Sequence, residues 1–475
     1  MKEGYIPKEQ RKNILLLTDD IRFTSGVGNV GKEIVLHTAH RYNWYNIGAA
    51  MKHPDQGKIF DLSEEINKHA GIEDAEVLIQ PNNGYGDPRL LRQLMEQRQI
   101  DAIFLITDPR YFEWLFQIEN EVRQKVPIIY LNIWDDLPAP MYNKTFYESV
   151  DTLLGISKQT VNINKMVLGD KAKTKIIDYV PHGMNIGNFY PITIEDLEFN
   201  AFKKQAGVED KDFVLFFNSR NIRRKQIPDT MLAWKYFLDQ LPKEKADKCT
   251  FILHTELVSD HGTDLKAVAD YIFGENSDKI KFSTQKLSTQ HLNYLYNLAD
   301  VQILLTSNEG WGLSLTEALL TGTPIIANVT GGMQDQMRFE DENGDWIDFD
   351  ADFPSNHTGK YKKHGKWAFP VYPSARTLKG SPKTPYIWDD VCKSEDAAER
   401  IMELYKMGDK KRKKAGMEGY KWAIGDEAGF TAQHQAQRVI KNIDNTLEVF
   451  TPREKFEFIN TNEYQSDILP HKLIY

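Results

Sequence analysis

The sequence predicts an α/β protein made of two doubly wound domains that face each other across a cleft. Short apolar runs alternate with amphipathic segments in both halves of the chain, which is typical of parallel sheets covered by helices. A segment rich in proline and glycine, residues 181–191, separates the two alternations. In such folds ligands bind beyond the carboxyl ends of the strands, so we expect the functional residues there.

The apolar runs define the candidate elements. Candidate strands are residues 13–17, 44–48, 75–80, 102–107, 127–131 and 152–156 in the first half, and 213–217, 250–253, 280–283, 301–306 and 324–327 in the second. Helical period is clear in residues 88–97, 111–125 and 431–448. We therefore expect an N-terminal domain over residues 1–192 and a C-terminal domain over 193–428. A helix and tail, residues 429–475, are expected to cross back to the N-terminal domain.

Composition narrows the class of protein. The chain has 475 residues, of which 41% are hydrophobic and 27% charged, so two soluble domains can each bury a core. A net charge of -9 argues against a general nucleic-acid binder. Two cysteines, Cys249 and Cys392, exclude a disulfide framework and predict a reducing, cytoplasmic compartment. No apolar run approaches the roughly 20 residues of a membrane span, so we expect no membrane insertion.

A glycine-rich segment near the N-terminus resembles a dinucleotide-binding pattern without meeting its requirements. Gly26, Gly28 and Gly31 have the G-x-G-x-x-G spacing, which alone is weak evidence. The first candidate strand ends well before Gly26, and the second ends without the carboxylate that the pattern needs. We expect instead a loop that opens a helix near Asn29, where Gly26 and Gly28 approach a phosphate or a sugar. A plain connecting loop is the alternative.

The strongest motif is the segment 307–318, SNEGWGLSLTEA, which follows an apolar strand. Gly310 and Gly312 allow the backbone to pass close to a ligand. The N–H groups that open the next helix, around Leu313 and Ser314, favour negative charge because they are unpaired and aligned with the helix dipole. The segment therefore predicts a site for an anionic ligand.

Two carboxylates flank this helix start, Glu309 before it and Glu317 inside it. They need not share a face, so each can accept hydrogen bonds from different hydroxyl groups; solvation or capping is the alternative for an isolated pair. Their spacing and the glycines resemble the E-x7-E motif of the large retaining glycosyltransferase family with the GT-B fold, the group 1 type. The resemblance implies a nucleotide-diphosphate-sugar donor, UDP- or GDP-linked, with Glu309 catalytic. It assigns donor binding to Gly310, Trp311, Gly312, Leu313, Ser314 and Glu317, aided by the N-terminal glycines.

A second block supports the same family. Arg220 and Lys225 follow the strand at 213–217 with the offset of the family's G-R-L-x-x-x-K-G block. The resemblance implies that these two cations neutralise the diphosphate leaving group. Gln226 departs from the pattern because it replaces the closing glycine. Arg223 and Arg224 are extra to the pattern and are consistent with surface charge.

The acceptor side matches the family less closely. Residues 181–191 resemble the family's domain connector, and His182 is either an acceptor-binding residue or a hinge histidine without a ligand. Where the family often has a histidine after a strand, this chain has Ile133 or Trp134, and Asp135 and Asp136 follow. Either aspartate could orient an acceptor hydroxyl as a general base or cap the next turn. The resemblance implies retaining, same-face transfer, in which the leaving phosphate takes the acceptor proton and neither a metal nor a further cofactor is essential.

An insertion, residues 339–390, is longer than the family usually needs. Its first part, 339–352, is acidic, whereas 357–388 has no acidic residue and mixes basic with aromatic residues. That mixture suits phosphate contacts and base stacking; the alternative is that the two parts pair with each other or bind the donor cleft. The candidate acceptor-binding residues of the insertion are Lys362, Lys363, Lys366, Trp367 and Arg376.

Three functions remain open at this point. The first is sugar transfer to a small or glycan acceptor. The second is the same chemistry on a hydroxymethylated pyrimidine of DNA, because the insertion resembles that of phage-encoded GT-B enzymes; the host cytoplasm would then be the compartment. The third is an inactive module that binds a sugar nucleotide or nucleic acid, which the presence of both cations and both carboxylates disfavours.

Overall fold

The computed structural model describes residues 4–23, 25–193, 195–274, 279–348 and 361–456. Its strands are β1 Lys12–Asp19, β2 Tyr42–Ala50, β3 Phe60–Asp61, β4 Val77–Asn83, β5 Ala102–Ile106, β6 Ile128–Asn132, β7 Thr152–Gly155, β8 Ile176–Tyr179, β9 Phe213–Asn218, β10 Cys249–His254, β11 Ile280–Ser283, β12 Val301–Leu304, β13 Ile325–Asn328, β14 Ala368–Val371, β15 Ala375–Ser381 and β16 Thr384–Val391. The helices are α1 Gly26–Thr38, α2 Ser63–Ala70, α3 Pro88–Arg98, α4 Glu113–Phe116, α5 Glu119–Val122, α6 Lys144–Glu148, α7 Lys158–Leu168, α8 Leu197–Gln205, α9 Ile227–Asp239, α10 Lys243–Ala246, α11 Leu265–Phe273, α12 Thr289–Leu298, α13 Leu313–Leu320, α14 Met333–Met337, α15 Ser394–Met407, α16 Asp409–Ile424 and α17 Ala432–Val449.

The N-terminal sheet has the strand order β3-β4-β2-β1-β5-β6-β7-β8. All its neighbouring strands are parallel except β3, which is antiparallel to β4. The central strand β1 is fully buried from Ile14 to Leu17, because helices cover both faces of a parallel sheet. The order reverses between β1 and β5, so a crevice opens beyond their carboxyl ends.

The C-terminal sheet has the order β11-β10-β9-β12-β13-β14, and its strands are all parallel. Its core is aromatic: Phe213, Phe216 and Phe217 of β9 are fully buried, as is Trp234 of α9. The order reverses between β9 and β12, which places a second crevice at their carboxyl ends. The predicted architecture of two doubly wound sheets is thereby confirmed.

The differences from the predicted elements have local causes. Strand β3 has only two residues. Polar residues or, in β14, Pro370 interrupt β8, β14, β15 and β16, so none of these strands forms a clear apolar run in the sequence. The segment predicted as one helix over residues 111–125 forms two short helices, α4 and α5, after a turn that Pro109 begins. Within the described residues no helix combines the length and the apolar character that a membrane crossing requires.

The C-terminal helix α17 returns to the N-terminal domain. It packs on α1, and the Tyr42 hydroxyl donates to Asp444 Oδ1 over 2.6 Å. At its start the Met184 N–H donates to the Phe430 carbonyl, and Gly183 lies against the backbone of Thr431. The helix thus ties the two domains together on one side of the cleft, while residues 457–475 of the predicted tail lie outside the described residues.

Strands β15 and β16 form an antiparallel pair, which we call the ribbon (residues 375–391). The ribbon makes a second set of contacts between the domains. At its base the Asp390 N–H donates to the Ser307 carbonyl over 2.9 Å. Near its tip the Arg110 guanidinium donates to the Lys383 carbonyl over 3.1 Å. The Tyr142 hydroxyl donates to the Tyr386 carbonyl over 2.9 Å. The ribbon therefore leaves the C-terminal domain and lies on the N-terminal one.

We predict that Gly183→Ala destabilises the protein. A Cβ at this position would lie 2.2 Å from the Thr431 carbonyl oxygen, which is backbone and cannot rotate away. The expected cost is about 1–3 kcal/mol of unfolding free energy, measured by urea denaturation. Gly187→Ala is the matched control, because its Cβ meets only the side-chain oxygen of Asn185. Equal unfolding midpoints for the two variants would contradict the prediction.

Candidate functional site

Two adjoining pockets lie in the cleft between the sheets. The larger has a volume of about 880 Å³, the smaller about 420 Å³, and both fall in the range of small-molecule sites. They are lined in common by Gly26, Val27, Arg224, Glu309, Gly312 and Leu313. A ligand in one pocket would therefore meet a ligand in the other at these shared residues.

The larger pocket brings together the two cationic and the two acidic residues that the sequence motifs identified. Arg220 and Lys225 come from the end of β9 and the turn after it, Glu309 from the loop after β12, and Glu317 from α13. The start of α13 also borders this pocket through Gly312, Leu313 and Ser314. Gly312 has φ +84°, a left-handed conformation that favours glycine. Elements distant in sequence thus converge at one edge of the C-terminal sheet.

Glu309 is held by two cations. Its Oε2 accepts hydrogen bonds from Lys225 Nζ and from Arg224 Nη1, the latter over 2.8 Å. Burial alone would raise the pKa of Glu309, but Lys225 and Arg224 outweigh burial and lower the pKa to about 2. The carboxylate is therefore ionised at neutral pH. Arg224, which fitted surface charge in the sequence, lines both pockets and belongs to the site.

A glycine pair after β13 supports the Glu309 loop. The Gly332 N–H donates to the Glu309 carbonyl over 3.1 Å. A Cβ on Gly331 would lie 1.9 Å from that same carbonyl oxygen, so only glycine permits this approach. Sequence reasoning missed this pair, although a Thr-Gly-Gly segment directly after an apolar strand is a signal that backbone passes close by.

Glu317 has a different environment. Its Oε2 accepts hydrogen bonds from the Tyr296 hydroxyl and, over 3.3 Å, from Asn218 Nδ2. Burial raises the pKa of Glu317 from 4.5 to about 7, because these two neutral donors only partly offset the loss of water. Glu309 and Glu317 thus border one pocket with widely separated pKa values.

The smaller pocket is lined by Asp135, Asp136 and His182, together with Gly310 and Trp311. Burial raises the pKa of Asp135 to about 6. The pKa of Asp136 is raised well above its ordinary value by burial and by neighbouring carboxylates. Burial lowers the pKa of His182 to about 4, so the ring is neutral at pH 7. Among the described residues no group of three or more His, Cys, Asp or Glu side chains could hold a metal ion.

The N-terminal glycines are placed differently from the prediction. Helix α1 begins at Gly26, not near Asn29, because Ser25 caps it: the Gly28 N–H donates to Ser25 Oγ over 2.9 Å. Gly28 is buried and lines neither pocket, so its amide is not available to a ligand. Gly26 lines both pockets. A ligand contact therefore stays a prediction for Gly26, whereas the predicted contact of Gly28 is corrected.

Trp311 also differs from the expectation of donor contact. Its indole Nε1 donates to Thr316 Oγ1 over 2.9 Å, and its ring packs edge-on against His182 and Phe430. Trp311 and Gly310 border the smaller pocket and do not line the larger one. The tryptophan therefore shapes the loop and the neighbouring pocket.

The described basic and aromatic residues of the insertion, at positions 361–388, do not line either cleft pocket. Lys362, Lys363, Lys366 and Trp367 surround a separate surface pocket. Trp367 is buried with its ring stacked on Trp422, so it cannot stack on a base, which corrects that expectation. Arg376 lies on the ribbon with its Nε 3.6 Å from Asp390 Oδ1. The acidic residues Asp350 and Asp352 lie outside the described residues.

Part of the sequence matches a known family model. Residues 198–352 match the family model of the group 1 glycosyl transferases. The alpha-monoglucosyldiacylglycerol synthase of Acholeplasma laidlawii is 25% identical over 147 residues, which are 31% of this chain and 34% of that protein. An uncharacterized glycosyltransferase of Methanocaldococcus jannaschii is 23% identical over 208 residues, 40% of this chain and 46% of the relative. The chain thus spans less than half the length of these curated relatives.

Structural comparison extends over nearly the whole chain. Anabaena HepE, solved in complex with UDP and glucose, has a TM-score of 0.61 at 15% identity and covers 92% of this chain and 100% of its own. The sucrose-phosphate synthase of Thermosynechococcus elongatus has a TM-score of 0.63 at 14% identity, with the same coverage of 92% and 100%. The fold is therefore GT-B, as the E-x7-E resemblance implied.

We predict that Glu317→Gln stabilises the protein at alkaline pH. The folded-state pKa of about 7 lies above the ordinary 4.5, so the favourable contribution of Glu317 is complete below pH 4.5 and is lost as the pH rises through 7. A neutral glutamine avoids this loss, and we expect a gain of about 1–2 kcal/mol at pH 8.5 and almost none at pH 5.

Glu309→Gln is the matched comparison and should act in the opposite direction. It leaves Lys225 and Arg224 facing each other without a carboxylate, so stability should fall by about 2–4 kcal/mol at pH 7. Urea denaturation at pH 5, 7 and 8.5 measures both variants. A pH-independent effect of Glu317→Gln would refute the assignment of its raised pKa.

Proposed function

We propose that the chain is a glycosyltransferase that moves a sugar from a nucleoside-diphosphate sugar in the larger pocket to a hydroxyl group of an acceptor in the smaller pocket. The observation that carries this proposal is the position of Glu309, which is shared by both pockets and held by Lys225 and Arg224. The family match over residues 198–352 supports it, because that segment contains these three residues and Arg220.

The larger pocket suits the donor for electrostatic reasons. Arg220 is exposed at its edge, and the Glu309 group carries one more positive charge than negative, so a diphosphate meets a cationic surface. The amides of Leu313 and Ser314 open α13 beside it, whereas the Leu315 N–H already donates to the Gly312 carbonyl. Glu317 is placed to accept hydrogen bonds from ribose hydroxyls. The UDP held by the similar HepE structure makes a UDP-linked donor the first choice to test, with GDP-linked donors second.

The proposed chemical step is the one that the resemblance to the retaining family implies. The bond between the sugar's anomeric carbon and the diphosphate oxygen breaks, and Arg220, Lys225 and the helix amides stabilise the charge that develops on the leaving group. The acceptor oxygen bonds to the same carbon on the same face, with retention of configuration. The acceptor proton passes to the leaving phosphate oxygen. Asp135 or Asp136 orients the acceptor hydroxyl.

The two alternatives have distinct signatures. Glycosylation of a hydroxymethylated DNA base is less favoured, because Lys362, Lys363, Lys366 and Trp367 surround a separate pocket and line neither cleft pocket. Release of nucleoside diphosphate only when hydroxymethylated DNA is added would establish it. An inactive binding module would bind the donor tightly and release nothing with any acceptor.

We predict that Lys225→Ala lowers turnover by about 10²–10³-fold, the usual loss for one contact to transition-state charge. Release of nucleoside diphosphate from the donor measures turnover. Arg223→Ala is the matched control, because Arg223 is exposed in the same turn and lines neither pocket. Turnover that is unchanged in Lys225→Ala, or reduced equally in both variants, would remove Lys225 from the chemistry.

Nucleotide binding offers a test that needs no acceptor. We compare UDP, GDP and ADP and the corresponding nucleotide sugars, and predict that the ligands with one of these bases raise the melting temperature. At a ligand concentration 100 times Kd, the free energy of unfolding should increase by about 2.7 kcal/mol. Arg220→Ala should weaken that binding by about 10- to 150-fold, since a charge-assisted hydrogen bond is worth about 1.5–3 kcal/mol. Isothermal calorimetry checks the affinity. If no nucleotide stabilises the protein, the proposed function itself is contradicted.

A further inference from the structure

The smaller pocket is closed on one side by the ribbon. Thr384 and Ile387 of β16 line it, opposite residues of the N-terminal domain. The Trp388 N–H donates to the Leu137 carbonyl over 2.9 Å, and the Tyr386 and Tyr142 rings meet edge-on with centroids 4.9 Å apart. The ribbon is therefore anchored on both sides of the residues that face the pocket. Its occupant must fit beneath Thr384 and Ile387.

The cations that line the smaller pocket are already engaged. Arg110 forms a salt bridge with Asp108, with Nε 2.7 Å from Oδ1. The Arg110 guanidinium also lies over the Trp134 ring, 5.2 Å from its centroid. Arg224 is paired with Glu309. The surplus positive charge of the Glu309 group faces the larger pocket, where the donor diphosphate would neutralise it. An acceptor that arrives after the donor meets no unpaired cation among the described lining residues.

The acidic groups, in contrast, are in excess. Asp135 and Asp136 both line the smaller pocket, and Asp389 of the ribbon adds negative charge near Asp136, whereas Asp390 lies 3.6 Å from the Nε of Arg376. Asp136 is 4% exposed, and within the described residues no group donates a hydrogen bond to its carboxyl. The carboxyl borders the pocket, so a ligand that brings hydroxyl groups can form hydrogen bonds with it. The raised pKa values of Asp135 and Asp136 favour one proton held between the two carboxyl groups, so the pair repels a phosphate through its remaining negative charge.

We propose that the ribbon and the aspartate pair make this pocket selective for uncharged, hydroxyl-bearing acceptors and against phosphorylated ones. The inference rests on the proposed function and adds the chemical class of its acceptor. Hydroxyl groups of the acceptor donate to the ionised carboxylate of the Asp135–Asp136 pair and accept from its protonated carboxyl. Its apolar face packs on Trp134 and Ile387. The ribbon, which belongs to the insertion, supplies the wall that excludes a bulkier or charged group.

The test uses the full chain saturated with the nucleoside diphosphate that stabilises it most. Ligand-observed NMR measures binding of glucose and glucose 6-phosphate, and of glycerol and glycerol 3-phosphate, as matched probes. We expect each neutral probe to bind at least about tenfold more tightly than its phosphate, since like charges in a desolvated pocket repel by more than the ~1.4 kcal/mol of a tenfold difference. A phosphate that binds as tightly as its parent, or neutral probes that fail to bind, would overturn the inference.

Two variants make the electrostatic cause testable. Thr384→Arg places an unpaired cation at the pocket wall and should bring the phosphate probes to within about twofold of the neutral ones. Ala375→Arg is the matched control, because Ala375 is exposed on the same ribbon opposite Val391 and lines neither pocket. Asp135→Asn should also reduce the difference in affinity between the neutral and the phosphate probes. This variant keeps the test possible if Thr384→Arg does not fold. Unchanged selectivity in Asp135→Asn would overturn the electrostatic explanation.

Failure of this inference is distinguishable from failure of the proposed function. If no nucleoside diphosphate binds, the donor assignment is wrong and the acceptor class has no basis. If a nucleoside diphosphate binds and the phosphate probes bind best, the donor assignment stands and the acceptor class is wrong.

Discussion

The Glu309 carboxylate between Lys225 and Arg224 is the interaction on which the site depends. It joins the loop after β12 to the turn after β9, and it lies where the two pockets meet. Removing three charged groups from water is costly, and apolar replacements of similar size are often as stable or more so. A role in ligand binding therefore explains this buried charged group better than a contribution to folding stability does. Its net positive charge suits a diphosphate.

The fold explains why this group can be assembled. The carboxyl ends of β9 and β12 are adjacent because the strand order reverses between them. The glycine pair after β13 lets a third segment approach the Glu309 backbone. Helix α17 and the ribbon then hold the N-terminal domain opposite, so that Asp135 and Asp136 face Glu309 across the cleft. The site is thus a product of connections between domains as much as of one motif.

Prediction from sequence succeeded where one segment contains the whole signal. The E-x7-E spacing, the flanking glycines and the strand on each side are local, so the positions of Glu309 and Glu317 at one pocket could be anticipated. Prediction from sequence failed where the contact partner of a residue is distant along the chain. Arg223 and Arg224 are neighbours of the same type, yet only Arg224 contacts Glu309, because the turn aims the two side chains in different directions. Trp367 looked like a stacking residue, but its partner Trp422 is 55 positions away in the sequence.

By itself, the amino-acid sequence determined the alternation of strands and helices, the division into two sheets and the types of charged residue available to the site. These follow from local periodicity and composition. The tertiary structure decided which cations pair with which carboxylates, which glycine amides stay free and which pocket each residue lines. Those outcomes depend on burial and on contacts between distant segments, since the same side chain is a solvated charge on the surface and a buried ion-pair partner in the cleft.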